Sequence, residues 1–481
     1  GKSWQNVTPA GMPELAYVGC VEISTHDADT IYVVATRYKL ADYKPYLFRS
    51  TDGGRSWQSI NGDFPRGEIT RVLRADPVRK GLLFVATETG LYFTSNDGQG
   101  WSRMPGGLPV VPVYDLKIKG SDLVAATHGR SFWILADITP LRELADGGEG
   151  TRLFTPRTTI RTKLHFGALR NVGTGISFAV APGISGGIRT FEQGDGTTGR
   201  EHLDVGENPP NGAIVYYWLA EGESDPVSLG FRDASGRAII AFRSDDGALP
   251  AARRPTTRAG LNRFVWDMQH PAPTKLDETL TKPRNKPLSK EPDPTAGPTT
   301  VPGKYQVELA VGSERQTASF SIVKDPRLST TPEAYRQQFA LLRELMDSLA
   351  RLNGAVNRIR RIKRQLTALA DRLGDSHADL ADTAKAVAER LGAIERVLVD
   401  VYRESARDTL RNPAGLNDTL IDLINTVAIS DNAPTASAAA VSRELMTRVD
   451  AEIAKLDALV GTELAEINRR AAERTVDLVG G

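Results

Sequence analysis

The feature that most constrains this chain is a short turn sequence that recurs. Ser50-Thr51-Asp52-Gly53-Gly54-Arg55-Ser56-Trp57 follows the aromatic stretch Tyr46-Leu47-Phe48-Arg49, and Ser95-Asn96-Asp97-Gly98-Gln99-Gly100-Trp101 follows Gly90-Leu91-Tyr92-Phe93-Thr94. Started at Ser95, the second copy is one residue shorter around its glycines. Gly1-Lys2-Ser3-Trp4 matches the tail Gly54-Arg55-Ser56-Trp57, so the chain is expected to open inside a repeat. The residue types have a physical reason. Glycine supplies positive φ, a short Ser or Asp side chain bonds the turn's own amides, and a large ring anchors the turn in a sheet.

Tryptophans at positions 4, 57 and 101 recur at roughly the 40 to 50 residues of one four-stranded β-propeller blade. Within a unit the strand-like runs are Ile69 to Ala75, Leu82 to Thr87 and Gly90 to Thr94, followed by one after the Trp. A third unit, Val113 to Ile118 and Asp122 to Leu135, lacks the turn sequence. The spacing predicts the last three or so blades of a propeller over residues 1–141. Propellers close with about four to eight blades, so further, upstream blades are expected on the same precursor or on a second chain.

With these residues in view, S-x-D-x-G-x-S-W resembles the Asp box of BNR repeats, which occur in sialidases, xyloglucanase-type glycoside hydrolases and sortilin-type receptors. The run from His128 to Leu135 resembles the last blade of large bacterial sortilin-like and glycosyl-hydrolase-like proteins. The resemblance implies a secreted or periplasmic protein at the bacterial cell exterior. It also implies that Ser50, Asp52, Gly54, Trp57, Asp97, Trp101 and Trp4 shape turns at the rim of the propeller and do no chemistry.

Beyond residue 141 the pattern changes twice. Residues 142–212, rich in Gly, Thr and Arg, read as an extended connector able to lend a strand to the last blade. Residues 213–325 carry short alternating runs such as Ala213 to Leu219, Val227 to Asp233 and Pro302 to Leu309, which predict an Ig-like β-sandwich with a long mobile loop at 271–302. At Thr330-Thr331-Pro332-Glu333 a helix start appears. Apolar residues then recur every three or four positions in four stripes, so residues 326–481 predict an antiparallel four-helix bundle. The predicted fold class is therefore multidomain β plus α.

Composition removes several function classes. Lys and Arg number 60 and Asp and Glu 59, a net charge of +1, so no global field steers the chain to nucleic acid. No apolar run approaches the ~20 residues of a membrane-spanning helix, and the protein is expected not to span a membrane. The single cysteine, Cys20, permits no internal disulfide and sits in an apolar run where a buried small hydrophobe is expected. The basic run Arg358 to Arg364 has no interleaved aromatics for base stacking and reads as a solvated helix face. The six histidines show no metal-ligand spacing, and neither a G-x-S-x-G elbow nor a P-loop is present, so no metal or cofactor is expected.

Two functions remain. Glycoside hydrolysis needs two carboxyl groups roughly 5 to 10 Å apart; Asp115 and Asp76, on or beside strands that open successive units, are the catalytic candidates by position. A sialidase-like site would also need arginines to hold a carboxylate, for which Arg71, Arg74 and Arg130 are available. In that reading most of the active site lies in upstream blades. The favoured expectation is a recognition protein that binds peptide or glycan, with the sandwich and bundle as accessory domains. His128 and Arg130 are its candidate contacts at the propeller mouth, together with Arg71 and Arg74. The plainer role of His128 and Arg130 is a tight turn before Phe132 and Trp133.

Overall fold

The computed structural model describes residues 2–104, 107–144, 150–162, 174–181, 184–192, 198–203, 209–221, 225–280, 296–402 and 413–473. It is a mixed β and α protein of small, mainly antiparallel sheets followed by a helical region. The first sheet orders β1 (Tyr17–Ile23), β2 (Ile31–Arg37), β3 (Asp42–Ser50) and β4 (Gln58–Ser59). The second repeats that order with β5 (Thr70–Ala75), β6 (Leu83–Thr87), β7 (Leu91–Thr94) and β8 (Ser102–Arg103). The third holds three strands, β9 (Val113–Lys119), β10 (Asp122–Thr127) and β11 (Phe132–Ala136).

Continuous apolar second strands, such as Tyr32-Val33-Val34-Ala35 and Leu83-Phe84-Val85-Ala86, are buried along their length because both faces are covered. One core joins the first two sheets through Tyr32, Val34, Leu47, Ile60, Leu73 and Trp101. A second joins sheets two and three through Phe84, Leu91, Leu116 and Leu123. The outward faces of the stack are different. Val21 and Ile23 on β1 are 60% and 59% exposed, and Phe132 and Ile134 on β11 are 72% and 64% exposed.

The recurrent turn is one hydrogen-bonded device built twice. Ser50 Oγ donates to Asp52 Oδ1 (2.8 Å) and accepts from Gly54 N (2.9 Å), while the Asp52 carboxylate accepts from Ser56 N (2.9 Å) and Ser56 Oγ (2.7 Å). In the second sheet Thr94 Oγ1 donates to Asn96 Oδ1 (2.7 Å) and accepts from Gly98 N (3.2 Å), and Asn96 Oδ1 accepts from Gly100 N (3.0 Å). The second copy therefore starts at Thr94, one residue before Ser95, and has the same length as the first. Asn96 stands where Asp52 stands, and Asp97 takes the place of Gly53, both with positive φ (58° and 72°). Gly54 and Gly98 share φ near 87°, at 88° and 86°. Asp97 links sheets instead: Tyr32 Oη donates to its Oδ1 at 2.7 Å, and Arg49 pairs with its Oδ2 at 3.1 Å. Each box tryptophan then reaches back to the turn of the preceding unit, Trp57 Nε1 to Val7 O (2.7 Å) and Trp101 Nε1 to Ile60 O (2.9 Å).

The stretch expected to be an extended connector is more ordered than that. After α1 (Thr139–Leu144), β12 (Arg152–Leu153) pairs with β17 (Ala213–Leu219) and β13 (Thr159–Arg161) pairs with β22 (Glu314–Lys324). Its strands thus join the sheets that follow it, not sheet three. It also holds a three-stranded antiparallel sheet, β14 (Gly175–Ala181), β15 (Ile184–Glu192) and β16 (Thr198–His202). Glycine and threonine there obscured the period of two in Ile176, Phe178 and Val180. The following β-unit has two sheets. One orders β12, β17 and β20 (Gly260–Trp266); the other orders β13, β22, β21 (Gly303–Val311), β18 (Val227–Asp233) and β19 (Ala238–Arg243). Both contribute to one aromatic core around Phe231, Phe264, Trp266 and Phe320.

Of residues 271–302, residues 281–295 lie outside the described residues. The preceding segment is docked, not loose: Asn353 Nδ2 donates to Thr274 O (2.8 Å), and Asn357 brackets Lys275 O and Asp277 N. Those asparagines sit on α2 (Pro332–Leu373), 42 residues capped by Thr331, whose side chain accepts from Ala334 N. Helices α3 (Ala378–Leu398), α4 (Leu416–Ala428), α5 (Ala436–Leu459) and α6 (Ala465–Glu473) share its leucine-rich core. Arg161 of β13 fastens the β-unit to the helices. It is 2% exposed, pairs with Asp431 at 2.8 Å and lies 4.8 Å over the Tyr335 ring. Among the described residues no helix is long and apolar enough to cross a membrane.

Candidate functional site

The first strands β1, β5 and β9 lie side by side across the three sheets. Each is interrupted at one place: the register slips between Val18 and Cys20, between Thr70 and Val72, and between Val113 and Asp115. Gly19, Arg71 and Tyr114 are therefore bulged residues at one repeat position. A bulge re-aims its side chain and is a recurrent device beside binding sites. Gly19 is small of necessity, because a Cβ there would stand 2.7 Å from Arg71 O.

Around the bulges the turns between second and third strands supply partners. Arg71 pairs with Glu88 and lies between two tyrosines, its guanidinium carbon 4.8 Å from the Tyr38 ring centroid and 4.9 Å from that of Tyr114. Tyr114 in turn stacks on His128, centroids 5.1 Å apart and planes 8° from parallel. Four planar groups thus form a ladder, Tyr38, Arg71, Tyr114 and His128. Cation–π contacts of this kind contribute about 0.5–2 kcal/mol each. Tyr114 is 49% exposed, and the His128 side chain is also exposed, so the ladder has an open end.

Three residues after each bulge come Glu22, Arg74 and Lys117. Arg74 donates to Asp115 Oδ1 (2.7 Å), Glu22 Oε2 (3.3 Å) and the carbonyls of Leu116 (2.8 Å) and Leu73 (3.0 Å). Burial pushes the Glu22 carboxyl above the usual range, although Arg74, the Ala75 amide and Lys117 pull the other way. The Asp115 side chain is 62% exposed, with only its Oδ1 bonded to Arg74 and to Leu116 N. Cys20 packs against both inter-sheet cores, and its Sγ lies 3.1 Å from an Arg74 nitrogen.

Of the candidates named from sequence, Arg71 and His128 are joined through Tyr114, and Arg74 is joined to Asp115. Asp76 does not join them. It is fully buried, its carboxylate bound by Arg142 Nη2 (2.9 Å) and by the amides of Val78 (2.9 Å) and Arg79 (2.6 Å). The side chain of Arg130 is exposed, while its amide donates to Thr127 Oγ1 and its carbonyl accepts from Trp133 Nε1. Sequence reasoning missed Glu22, Tyr38, Glu88 and Tyr114. The register of each first strand against its second strand marks Tyr114 as the counterpart of Arg71 and Glu22 as that of Arg74, while Tyr38 and Glu88 sit on the turns beside them. Among the described residues, no three His, Cys, Asp or Glu side chains are placed to hold a metal ion.

No family model matches the chain, and no curated protein matches it. Solved structures of β-propeller type do show likeness. An ancestral GH74 enzyme aligns with 51% of this chain and 40% of its own at 13% identity and TM-score 0.22. The GH74 enzyme of Niastella koreensis aligns with 63% and 46% at 12% identity and TM-score 0.20. A structure of YCF48 bound to D1 peptide aligns with 56% and 84% at 15% identity and TM-score 0.23. The chain spans less than half the length of either GH74 enzyme. Likeness at these scores carries no argument about activity, which rests on the site itself.

Proposed function

We propose that the three sheets of residues 17–136 are consecutive blades of an Asp-box β-propeller, and that the protein recognises a peptide or glycan at their inner surface. The observation that carries this reading is the bulge at one register in all three first strands, which brings Arg71 and Tyr114 into one stack and requires glycine at position 19. Such a surface is preorganised. Its cations are already paired, Arg71 with Glu88 and Arg74 with Glu22 and Asp115, so neither is free to clamp a substrate carboxylate as a sialidase-like site requires. Asp115 is the one mostly exposed carboxylate of this surface among the described residues; Glu22 and Glu88 are largely covered and held by Arg74 and Arg71, which does not favour the open pair that glycoside hydrolysis needs. A hydrolase reading would place the second carboxylate in further blades.

The open apolar faces of β1 and β11 fit closure by further sheets of the same repeat, on the same precursor or on a second chain. The β-unit and the helices, fastened together by Arg161 and Asp431, serve in this account as Ig-like and helical accessory domains of a protein of the bacterial exterior. Arrays of glycans and of peptides, with xyloglucan and sialoside hydrolysis measured in parallel, test the reading. Retention without turnover is expected; turnover at a rate lost with Asp115→Asn would establish the hydrolase instead.

A further inference from the structure

A separate site, independent of the inner surface, lies where the third sheet meets the β-unit. A cleft of about 740 Å³ opens there, with Asp122 and Glu143 on one wall and Pro209 and Pro210 on another. That volume is within the roughly 300–1,000 Å³ of ligand sites, which favour domain junctions. Thr158, Thr159 and Ile160 all line it. Thr159 and Ile160 are successive residues of β13, and successive side chains of a strand point to opposite faces, so a cavity lined by both runs along the strand's edge.

That strand, β13, is terminal in its sheet. Its other edge pairs in parallel with β22, Thr159 opposite Ile322 and Ile160 opposite Val323, so the edge along the cleft has no strand partner among the described residues. Arg161 turns away into Asp431 and Thr300 O (2.7 Å), which fixes the strand in place. Pro209 and Pro210 have no N–H to offer a ladder. Charge narrows the occupant further. Arg157 pairs with Asp122 at 2.9 Å, and Glu143 Oε1 accepts from Thr155 N at 3.1 Å, leaving the lining one carboxylate in excess. We propose that the free edge of β13 receives an extended peptide, neutral or basic, as an added strand, with main-chain hydrogen bonds giving affinity and the proline wall giving apolar contact.

Fluorescence anisotropy with a labelled lysine–valine alternating heptapeptide tests this on the whole chain. Its controls are a glutamate–valine counterpart and two isomers N-methylated along one edge or the other. The basic peptide is expected to bind at least tenfold more tightly than the acidic one. One methylated isomer, and only one, is expected to lose binding tenfold or more, because only one edge faces β13. Hydrogen exchange should show protection by the basic peptide at residues 158–162, and Glu143→Gln should narrow the basic-to-acidic difference. The proposal is overturned if neither peptide binds, if both isomers bind like the parent, or if protection falls elsewhere.

Discussion

The sequence spacing assigns Trp4, Trp57 and Trp101 to one position of the proposed repeat, and their truncation to alanine is expected to cost in proportion to how completely each is covered. Trp101 is 7% exposed, meets Phe64 edge-on at 5.3 Å and donates to Ile60 O. A tryptophan buries roughly 150–250 Å², and at about 25 cal/mol per Å² that is roughly 4–6 kcal/mol. Alanine keeps some of it, so Trp101→Ala should cost roughly 3–5 kcal/mol, in line with other core truncations. Trp57 is half-buried and should cost roughly 1–2 kcal/mol. Trp4, 90% exposed, retains about a tenth of the contact and should cost at most about 0.5 kcal/mol. A chain with several cores does not unfold in one step. The assay is therefore hydrogen exchange in increasing urea, read on peptides of β2 and β6. A Trp4→Ala cost equal to that of Trp101→Ala, or a Trp101→Ala cost below about 1 kcal/mol, would refute the scaling of cost with coverage.

The two boxes should part company in acid. The Ser56 hydroxyl and amide and Ser50 hold the Asp52 carboxyl at about 2, against 3.8 ordinarily. A folded-state pKa below the unfolded one stabilises above the unfolded value and is lost as pH falls towards 2; Asn96 does not titrate, so Gly54 and Ser56 amides should lose protection over that interval while Gly98 and Gly100 keep theirs. Asp76→Asn leaves Arg142 buried without its anion and should cost roughly 3–5 kcal/mol in denaturant titrations, and Arg142→Met in the same chain should restore part of the loss if the pair is coupled. His270 packs on Phe339 at 4.9 Å, and burial, helped by Arg343 and Arg237 and opposed by Asp233, holds its imidazole at about 4. The folded state then binds fewer protons than the unfolded state between about 4 and 6.5, so stability should fall as pH drops through that window, and His270→Phe should flatten this limb of the melting curve.

Much of the β-repeat was legible because its turn sequence is local: Ser50, Asp52 and Gly54 bond one another within five residues. The start of the second box was misplaced by one residue because Thr94 and Asn96 do the work of serine and aspartate, and the nearby Ser95 and Asp97 imitate the spelling. The site was less legible. Asp115, Arg71 and Arg74 could be named, but Glu22, Tyr38 and Tyr114 acquire meaning only through bulges, which depend on pairing between strands and leave no mark in composition. Asp76 shows the converse, since position beside a strand said nothing of Arg142 sixty-six residues away. The stretch 142–212 hid its strands for a related reason: β12 and β13 are two and three residues long and are defined by distant partners, β17 and β22.

The bulge register is proposed to form a recognition surface. Its most direct test is retention on glycan and peptide arrays by the unaltered chain, by Tyr114→Ala and by Tyr17→Ala, which removes a more exposed tyrosine of β1 that is not a member of the ladder. Specific hits that Tyr114→Ala loses at least tenfold and Tyr17→Ala keeps are expected. Hits that survive Tyr114→Ala, or that both substitutions weaken alike, would contradict it.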